Sequence, residues 1–189
     1  MKKFVPHEVL TKAQINKYKF LVIPFVIIII SFFLSQVSEN SKYLSYLGLI
    51  LYFFLFYFLR FKINFISINE TEVVSPINGK IVKITSIENG YLLFIEKPFL
   101  ASTEVVTCTK YDLINKIDDT QDRVSWEISN KMIKIFTEDE VDCAAVLIGV
   151  SPGKATCQIF IPSKYEISVN ENNSLEAGVT IIAESIDSR

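Results

Sequence analysis

Two uncharged stretches decide the fold of this chain: FLVIPFVIIIISFFL at residues 20–34 and YLSYLGLILYFFLFYFL at residues 43–59. Thirteen of the fifteen residues in the first stretch are Ile, Leu, Val or Phe. At roughly −0.3 to −0.6 kcal/mol each, these side chains contribute about −4 to −8 kcal/mol to membrane insertion, which outweighs Pro24. Tyrosines near both ends of the second stretch suit the membrane interface. The sequence therefore predicts a transmembrane hairpin over residues 20–62, with spans at about 18–37 and 43–61.

The charges that flank the hairpin predict its orientation. Five lysines precede the first span, Arg60 and Lys62 follow the second, and the connecting turn holds only Glu39 and Lys42. The positive-inside rule then predicts a two-pass protein of an inner, cytoplasmic-type membrane with both ends in the cytoplasm. A cleaved signal peptide needs a small-residue cleavage site, whereas SQVSENSK and a second span follow the first stretch. Residues 1–19 form a cytoplasmic N-terminal segment, in which residues 6–19 suit an interfacial helix.

Charge also separates the hairpin from the rest of the chain. From residue 66 onward there are eleven basic and nineteen acidic residues, a net charge of −8. Nucleic acid attracts clusters of Lys and Arg, so we do not expect a nucleic-acid partner. The basic flanks of the hairpin suit anionic phospholipid headgroups, although orientation signals without lipid specificity are the simpler explanation.

The cysteines and the histidine restrict the possible chemistry. Cys108, Cys143 and Cys157 are odd in number, widely spaced and without a C-x-x-C pair, which argues against a zinc site or a disulfide framework. We expect three reduced thiols, with Cys143 behaving as a small core residue. The single histidine, His7, precedes the membrane spans, so histidine-based catalysis is excluded from residues 66–189.

Residues 66–189 have the pattern of one mainly β domain, a sandwich or barrel. Asn78 and Gly79 join two β-branched runs, and this pair predicts a tight hairpin turn with positive φ angles. Trp126 lies in a short strand pattern. Further strands are predicted at residues 91–95, 104–109, 124–128, 132–137, 141–149, 155–161, 166–169 and 179–183.

Two short motifs are better explained as loops. The acidic residues at 138–140 and Asp142 could hold a divalent cation, but a solvated turn between strands is the simpler interpretation. Residues 149–154, GVSPGK, match half of a phosphate-binding loop, but no helix is predicted after them. We therefore expect a hairpin loop at residues 149–154 and no metal site at residues 138–142.

Three blocks of the sequence resemble the compact phosphatidylserine decarboxylases. They are VVSPINGKIVKI at residues 73–84, FIEKPFLASTEV at 94–105 and LEAGVTIIAES at 175–185. The first is similar to a VVSPADGKVV-like hairpin that follows a membrane hairpin in that family. The others are similar in placement to its histidine-bearing loop and to the region before its Gly-Ser cleavage point. The resemblance implies a membrane-anchored lipid enzyme with a pyruvoyl group.

This chain departs from the family at each catalytic position. Asn78 occupies the place of the hairpin aspartate, and Ser102 that of the loop histidine. Glu184 replaces the glycine before the candidate serine, Ser185, where glycine would permit a strained backbone during an acyl shift. Without a pyruvoyl group nothing supplies the electron sink for decarboxylation. We expect no cofactor, unless Ser185 is processed to pyruvoyl.

A second resemblance is to biotinyl/lipoyl-type domains, whose barrel-sandwich hybrid fold is built from two half-motifs. SPINGKIV at residues 75–82 and SVNENNSLEAGVTIIAE at residues 168–184 are similar to those halves. The attachment lysine is missing, because Lys131 and Met132 stand in reversed order away from the centre. The shared motif, with Ser75, Pro76, Asn78 and Gly79, therefore supports a fold more than an activity.

The sequence hypothesis is a membrane-anchored, catalytically inactive relative of the phosphatidylserine decarboxylases. It would act as a subunit of a membrane complex or as a binding module, with the lipid bilayer, an anionic phospholipid, a protein partner or a second copy as its partner. One alternative is an active, diverged decarboxylase cleaved between Glu184 and Ser185. Another is a structural adaptor with a biotinyl/lipoyl-like domain and no lipid chemistry.

Overall fold

The computed structural model describes residues 6–36, 38, 40–62, 69, 71–110, 113–114, 117–119, 122–136 and 144–186, with the backbone alone for Pro6, Leu113 and Ile114. Within these ranges the chain forms two helices followed by twelve short strands. The helices are α1 (Pro6–Leu34) and α2 (Ser41–Phe58). The strands are β1 (Glu72–Val74), β2 (Gly79–Ile87), β3 (Gly90–Lys97), β4 (Glu104–Val106), β5 (Leu113–Ile114), β6 (Ser125–Ser129), β7 (Lys134–Ile135), β8 (Leu147–Val150), β9 (Ala155–Pro162), β10 (Tyr165–Ile167), β11 (Ser174–Leu175) and β12 (Ile181–Ser185).

Both helices are long and apolar enough to cross a membrane, and they are candidate membrane spans. Within the most apolar 18 residues of each helix, only 17% and 11% are buried, which is unlike a core helix of a soluble protein. Helix α1, which contains the first apolar stretch, ends at Leu34. The predicted span ends at about residue 37, and residue 37 itself lies outside the described residues. The second helix covers 41–58, slightly displaced from the predicted 43–61.

The two helices pack against each other through small and hydroxylated side chains. The hydroxyl oxygens of Ser31 and Ser45 lie 2.7 Å apart and share a hydrogen bond. One turn away, a Cβ atom added to Gly48 would lie 2.8 Å from Cγ1 of Ile28, closer than real Cβ atoms approach. Gly48 therefore allows the close helix contact that membrane hairpins use.

The segment at residues 6–19 is not a separate interfacial helix, because it continues into the first apolar stretch as one helix, α1. Its buried side chains, Val9 and Ala13, pack against Leu147 and Val150 of β8. This contact with the β domain covers an apolar face that an isolated interfacial helix would place in lipid. The N-terminal part of α1 therefore packs on strand β8 of the β domain.

The β domain contains three sheets, and their pairing is mostly antiparallel. The strand orders are β1-β12-β10, β11-β2-β3-β9-β6-β5 and β4-β8-β7, and the six-stranded sheet curls into a half-barrel. Strand β5 pairs with β6 in parallel. Neither β5 nor β11 was predicted, since each has only two residues and carries little sequence pattern.

The turn predicted at Asn78 and Gly79 is wrong. Strand β1 pairs with β12 and not with β2, so the chain passes from one sheet to another between them. Neither Asn78 nor Gly79 has a positive φ. Gly79 begins β2 and lies so close to β3 that an added Cβ would be 2.6 Å from the carbonyl oxygen of Glu96. The glycine is used for close strand packing instead of for a turn.

The core of the β domain is formed by side chains from all three sheets. Trp126 and Phe160 are the largest fully buried side chains. The burial of Trp126 agrees with its place in a strand pattern. The segment at residues 149–154, predicted as a hairpin loop, instead joins β8 to β9, which belong to different sheets. Residues 138–143, including Cys143, lie outside the described residues.

Candidate functional site

The side chain of Glu104 lies at the centre of a buried polar cluster. Glu104 belongs to β4 and is 1% exposed. Its Oε1 atom accepts hydrogen bonds from Nδ2 of Asn78 (2.6 Å) and from Oγ of Ser102 (2.9 Å). Its Oε2 atom accepts a hydrogen bond from the backbone N–H of Lys62 (3.2 Å). Because a buried carboxyl group is costly unless its oxygens are bonded, these donors keep Glu104 in the interior.

Asn78 connects this cluster to the last part of the chain. Its Oδ1 atom accepts a hydrogen bond from the backbone N–H of Ala177 (3.1 Å). Next to it, the N–H of Gly178 donates to the carbonyl oxygen of Ser75 (2.9 Å). The three blocks of sequence that resemble the decarboxylases therefore meet in one place, and the predicted site residues Asn78 and Ser102 bond to the same carboxyl group.

Sequence reasoning missed Glu104 itself. The residue stands directly before Val105 and Val106 in a strand pattern, and a glutamate at a strand end is usually solvated. Its donors come from residues 62, 78 and 102, which are far apart in sequence. A signal was available in the short polar group Ser102-Thr103-Glu104, which interrupts an otherwise apolar region.

The space beside Glu104 is small. A cavity of about 10 Å³ lies there, lined by Lys62, Glu104, Val106, Ala145, Leu147, Ala177 and Gly178. Such a volume holds about one water molecule, whereas small-molecule sites typically measure about 300–1,000 Å³. Among the described residues, the cluster therefore has the geometry of a structural polar network, with no room for a phospholipid headgroup.

Ser185 is not brought to the Glu104 cluster. The pairing of β1 with β12 begins near the Asn78–Ala177 contact, with Val74 opposite Ile181, and it runs away from that contact. Ser185 ends β12, about 13 Å along the strand from Ile181. There its N–H donates to the carbonyl oxygen of Thr71 (2.8 Å). Of the predicted site residues, Asn78 and Ser102 come together and Ser185 stands apart.

Lys97 is a second buried polar side chain. It is 2% exposed, and its Nζ donates hydrogen bonds to the carbonyl oxygens of Gly153 (2.9 Å) and Ala101 (3.3 Å). Burial lowers the pKa of Lys97 to about 8, and the charge of Glu104 opposes this decrease, while Arg60 adds to it. The two carbonyl contacts join the loop after β3 to the loop after β8.

A shallow groove crosses the outer face of the six-stranded sheet close to Lys97. Its volume is about 530 Å³. Across its floor, Lys80, Glu96, Thr156 and Ser129 stand opposite one another on β2, β3, β9 and β6, with their side chains exposed. Lys154 lies beside this row. The groove is open and weakly basic, in contrast with the net charge of the domain.

The described cysteines lack the properties of reactive thiols. Cys108 and Cys157 are buried, reduced thiols, as expected for core residues. Burial raises the pKa of the Cys157 thiol, which suppresses the reactive thiolate. Within the part of the chain that the structure describes, no three His, Cys, Asp or Glu side chains are grouped so that they could hold a metal ion.

Comparison of the chain with protein-family models, with curated proteins and with solved structures returned no match. The resemblance to the phosphatidylserine decarboxylases therefore depends on the three quoted blocks alone.

Proposed function

We propose that this is a two-pass membrane protein whose β domain faces the cytoplasm and acts as a binding module, a subunit or adaptor of a membrane complex, without pyruvoyl chemistry. The observation that carries the proposal is the closed cluster around Glu104. Asn78 and Ser102, at the positions where the resembled family has its aspartate and histidine, bond to a buried carboxyl group. The adjoining cavity has space for about one water molecule.

The residues around Ser185 do not fit the formation of a pyruvoyl group. Glu184 stands opposite Glu72 on one side and Glu166 on the other, so the peptide bond before Ser185 lies inside a three-stranded sheet. An acyl shift needs a distorted backbone there, whereas the strand ladder holds it extended. We therefore assign Ser185 a structural role.

The attachment of the β domain to the hairpin supports an adaptor role. The N–H and the hydroxyl of Thr103 donate hydrogen bonds to the carbonyl oxygen of Arg60 (2.9 and 3.0 Å), just after α2. Nζ of Lys62 lies 3.2 Å from Oε1 of Glu176. Together with the packing of α1 on β8, these contacts fix the domain relative to the hairpin. A domain held this way presents a constant surface to partners at the membrane.

A barrel-sandwich hybrid arrangement, and with it a structural adaptor unrelated to lipid enzymes, is the second candidate. It is supported by the pairing of β11 with β2, in which Ser174 and Leu175 stand opposite Lys80 and Gly79. This pairing joins the two segments that resemble biotinyl/lipoyl half-motifs. Both candidate functions are binding functions. They differ in whether the β domain descends from a lipid enzyme or from a biotinyl/lipoyl-type domain.

The intact mass of the detergent-extracted protein under denaturing conditions tests the proposal. We expect a single uncleaved chain. A species shortened by the five residues from Ser185, restored to full length by Ser185→Ala, would contradict it and favour the active decarboxylase. Formation of phosphatidylethanolamine from phosphatidylserine by the purified protein would contradict it equally.

Crosslinking in native membranes identifies the partner. An adduct with another membrane protein would define the complex, and a crosslinked dimer would indicate self-association. A chain that crosslinks to neither would contradict the subunit role and leave the lipid headgroup as the bound species.

A further inference from the structure

Three large apolar side chains are exposed together at the end of the β domain that meets α2. They are Phe99 and Leu100, in the loop after β3, and Met132, between β6 and β7, and each is 44–48% exposed. Gly153 lies among them with a φ of +76°. A Cβ at this glycine would lie within 3.4–3.7 Å of Met132, Phe99 and Phe58, which shows how closely these side chains are gathered.

This apolar group is level with the end of the second candidate span. The ring of Phe99 lies 4.8 Å, centroid to centroid, from the ring of Phe58, the last residue of α2. The guanidinium of Arg60 donates to the carbonyl oxygen of Leu100 (3.3 Å) and covers the ring of Tyr57. Aromatic and arginine side chains of this kind are typical of the zone where a span leaves the hydrocarbon.

The loop that carries Phe99 and Leu100 is held in place. The N–H of Ala101 donates to the carbonyl oxygen of Pro98 (3.2 Å), which closes a turn. Nζ of Lys97 binds the carbonyl oxygens of Ala101 and Gly153 and so ties this turn to the next loop. The apolar side chains therefore project from a fixed support, and their exposure costs free energy unless something covers them.

The charges beside this group are mainly basic. Lys131 and Lys154 adjoin Met132 and Gly153 in sequence and are exposed, and the nearby groove adds Lys80 against one carboxylate, Glu96. This concentration of positive charge stands out in a segment whose net charge is −8. Anionic headgroups are the complementary surface at this level.

We propose that this juxtamembrane face, formed by Phe99, Leu100, Met132, Lys131 and Lys154, inserts into the headgroup zone of the bilayer that holds the hairpin. The apolar side chains enter the interface, and the two ammonium groups bind anionic phospholipid phosphates. The inference rests on the membrane topology proposed above. It assigns the β domain its own lipid contact in addition to the two spans.

A lipid surface fits this face better than a protein does. Three side chains are far less than the roughly 800 Å² per partner that a stable protein interface buries. Lysine is also depleted in such interfaces, whereas it is favoured at anionic membranes. Continuity with the end of α2 then decides in favour of the bilayer.

The test uses full-length protein in nanodiscs, in a background where Cys143 is replaced by serine and the buried Cys108 and Cys157 remain. An environment-sensitive fluorophore is attached at Leu100→Cys. The matched control is Glu88→Cys, an exposed position in the turn before β3. Strand β3 runs about 23 Å from Gly90, next to this turn, to Lys97. Quenching is compared between spin-labelled phosphatidylglycerol and spin-labelled phosphatidylcholine.

We expect a blue-shifted probe at position 100 that phosphatidylglycerol quenches more strongly than phosphatidylcholine, and a polar, unquenched probe at position 88. Lys131→Ala and Lys154→Ala should each reduce the preference for phosphatidylglycerol by up to roughly fivefold. A polar probe at position 100 in a protein that remains in the nanodisc would overturn the inference but not the topology. A blue-shifted probe at position 100 that neither spin-labelled lipid quenches would overturn it in favour of a protein contact. Loss of the protein from the nanodisc would overturn both.

Discussion

The Nδ2 atom of Asn78 donates a 2.6 Å hydrogen bond to Oε1 of Glu104, a side chain that is almost fully buried. Asn78→Asp would restore the aspartate of the resembled family, but it would remove this donor and bring two carboxyl groups together. We expect the free energy of unfolding to fall by about 1–3 kcal/mol at pH 7.

Chemical denaturation of the full-length protein in micelles measures this effect. Asn170→Asp, at an exposed position, is the matched control and should leave the midpoint unchanged. If Asn78→Asp were as stable as the parent and formed phosphatidylethanolamine, the structural role of the cluster would be refuted.

Lys97 should make stability depend on alkaline pH. Burial lowers its pKa to about 8 in the folded protein, below the usual 10.5, so the unfolded chain binds more protons between these two values. The free energy of unfolding should therefore rise from about pH 8 to 10.5. Below pH 8, Lys97 is protonated in both states, so its destabilising effect is fully present and does not change with pH. Lys97→Met should remove this rise, and Lys80→Met, at an exposed lysine, should retain it. Identical slopes for the parent and Lys97→Met would show that Lys97 titrates normally.

The contact between α1 and the β domain can be broken at one position. Ala13 is 1% exposed and packs on β8, whereas its neighbour Gln14 is exposed. Ala13→Arg should separate helix from sheet and lower the free energy of unfolding by about 2–4 kcal/mol, because an unpaired charge cannot be accommodated there. Gln14→Arg adds the same charge at an exposed position and should leave the free energy of unfolding unchanged. Limited proteolysis reports the separation as faster cleavage within residues 6–19, and equal cleavage of the two variants would contradict the packing.

The close approach of the two helices at Gly48 is testable inside the membrane. Cysteines at Ser31→Cys and Ser45→Cys should form a disulfide, because the parent hydroxyl oxygens are 2.7 Å apart. Gly48→Leu should reduce this crosslink severalfold, since its Cβ would already overlap Ile28. Leu47→Ile, at an exposed neighbouring position, should leave it intact. A full crosslink yield with Gly48→Leu would indicate a different helix pairing.

Features that depend on a local pattern were predictable from the sequence. The candidate spans follow from two charge-free stretches, and strands such as β3, β6 and β9 follow from runs of β-branched and aromatic residues. The central residues of these helices and strands agree with the predicted ranges. Their ends differ from the prediction by a few residues, because strand and helix ends depend on neighbours in space.

Features that depend on distant partners were not predictable. The Asn-Gly pair at residues 78–79 favours a tight turn when its neighbours in sequence are considered alone. In the fold, the side chain of Asn78 instead forms hydrogen bonds with Glu104 and Ala177, which are distant in sequence. The pairing of β1 with β12 joins residues more than a hundred positions apart. Likewise, nothing in residues 6–19 indicates that β8 will cover Val9 and Ala13.

The continuity of α1 has a consequence for the order of synthesis. Val9 and Ala13 leave the ribosome before the first apolar stretch, whereas Leu147 and Val150, which cover them, follow more than 130 residues later. At about 5–20 residues per second, the helix waits roughly 7–27 s for this partner, long after the spans can have inserted. The packing of α1 on β8 is therefore completed only after the β domain has been synthesised. The segment before the first candidate span depends for its packing on residues that follow the second span.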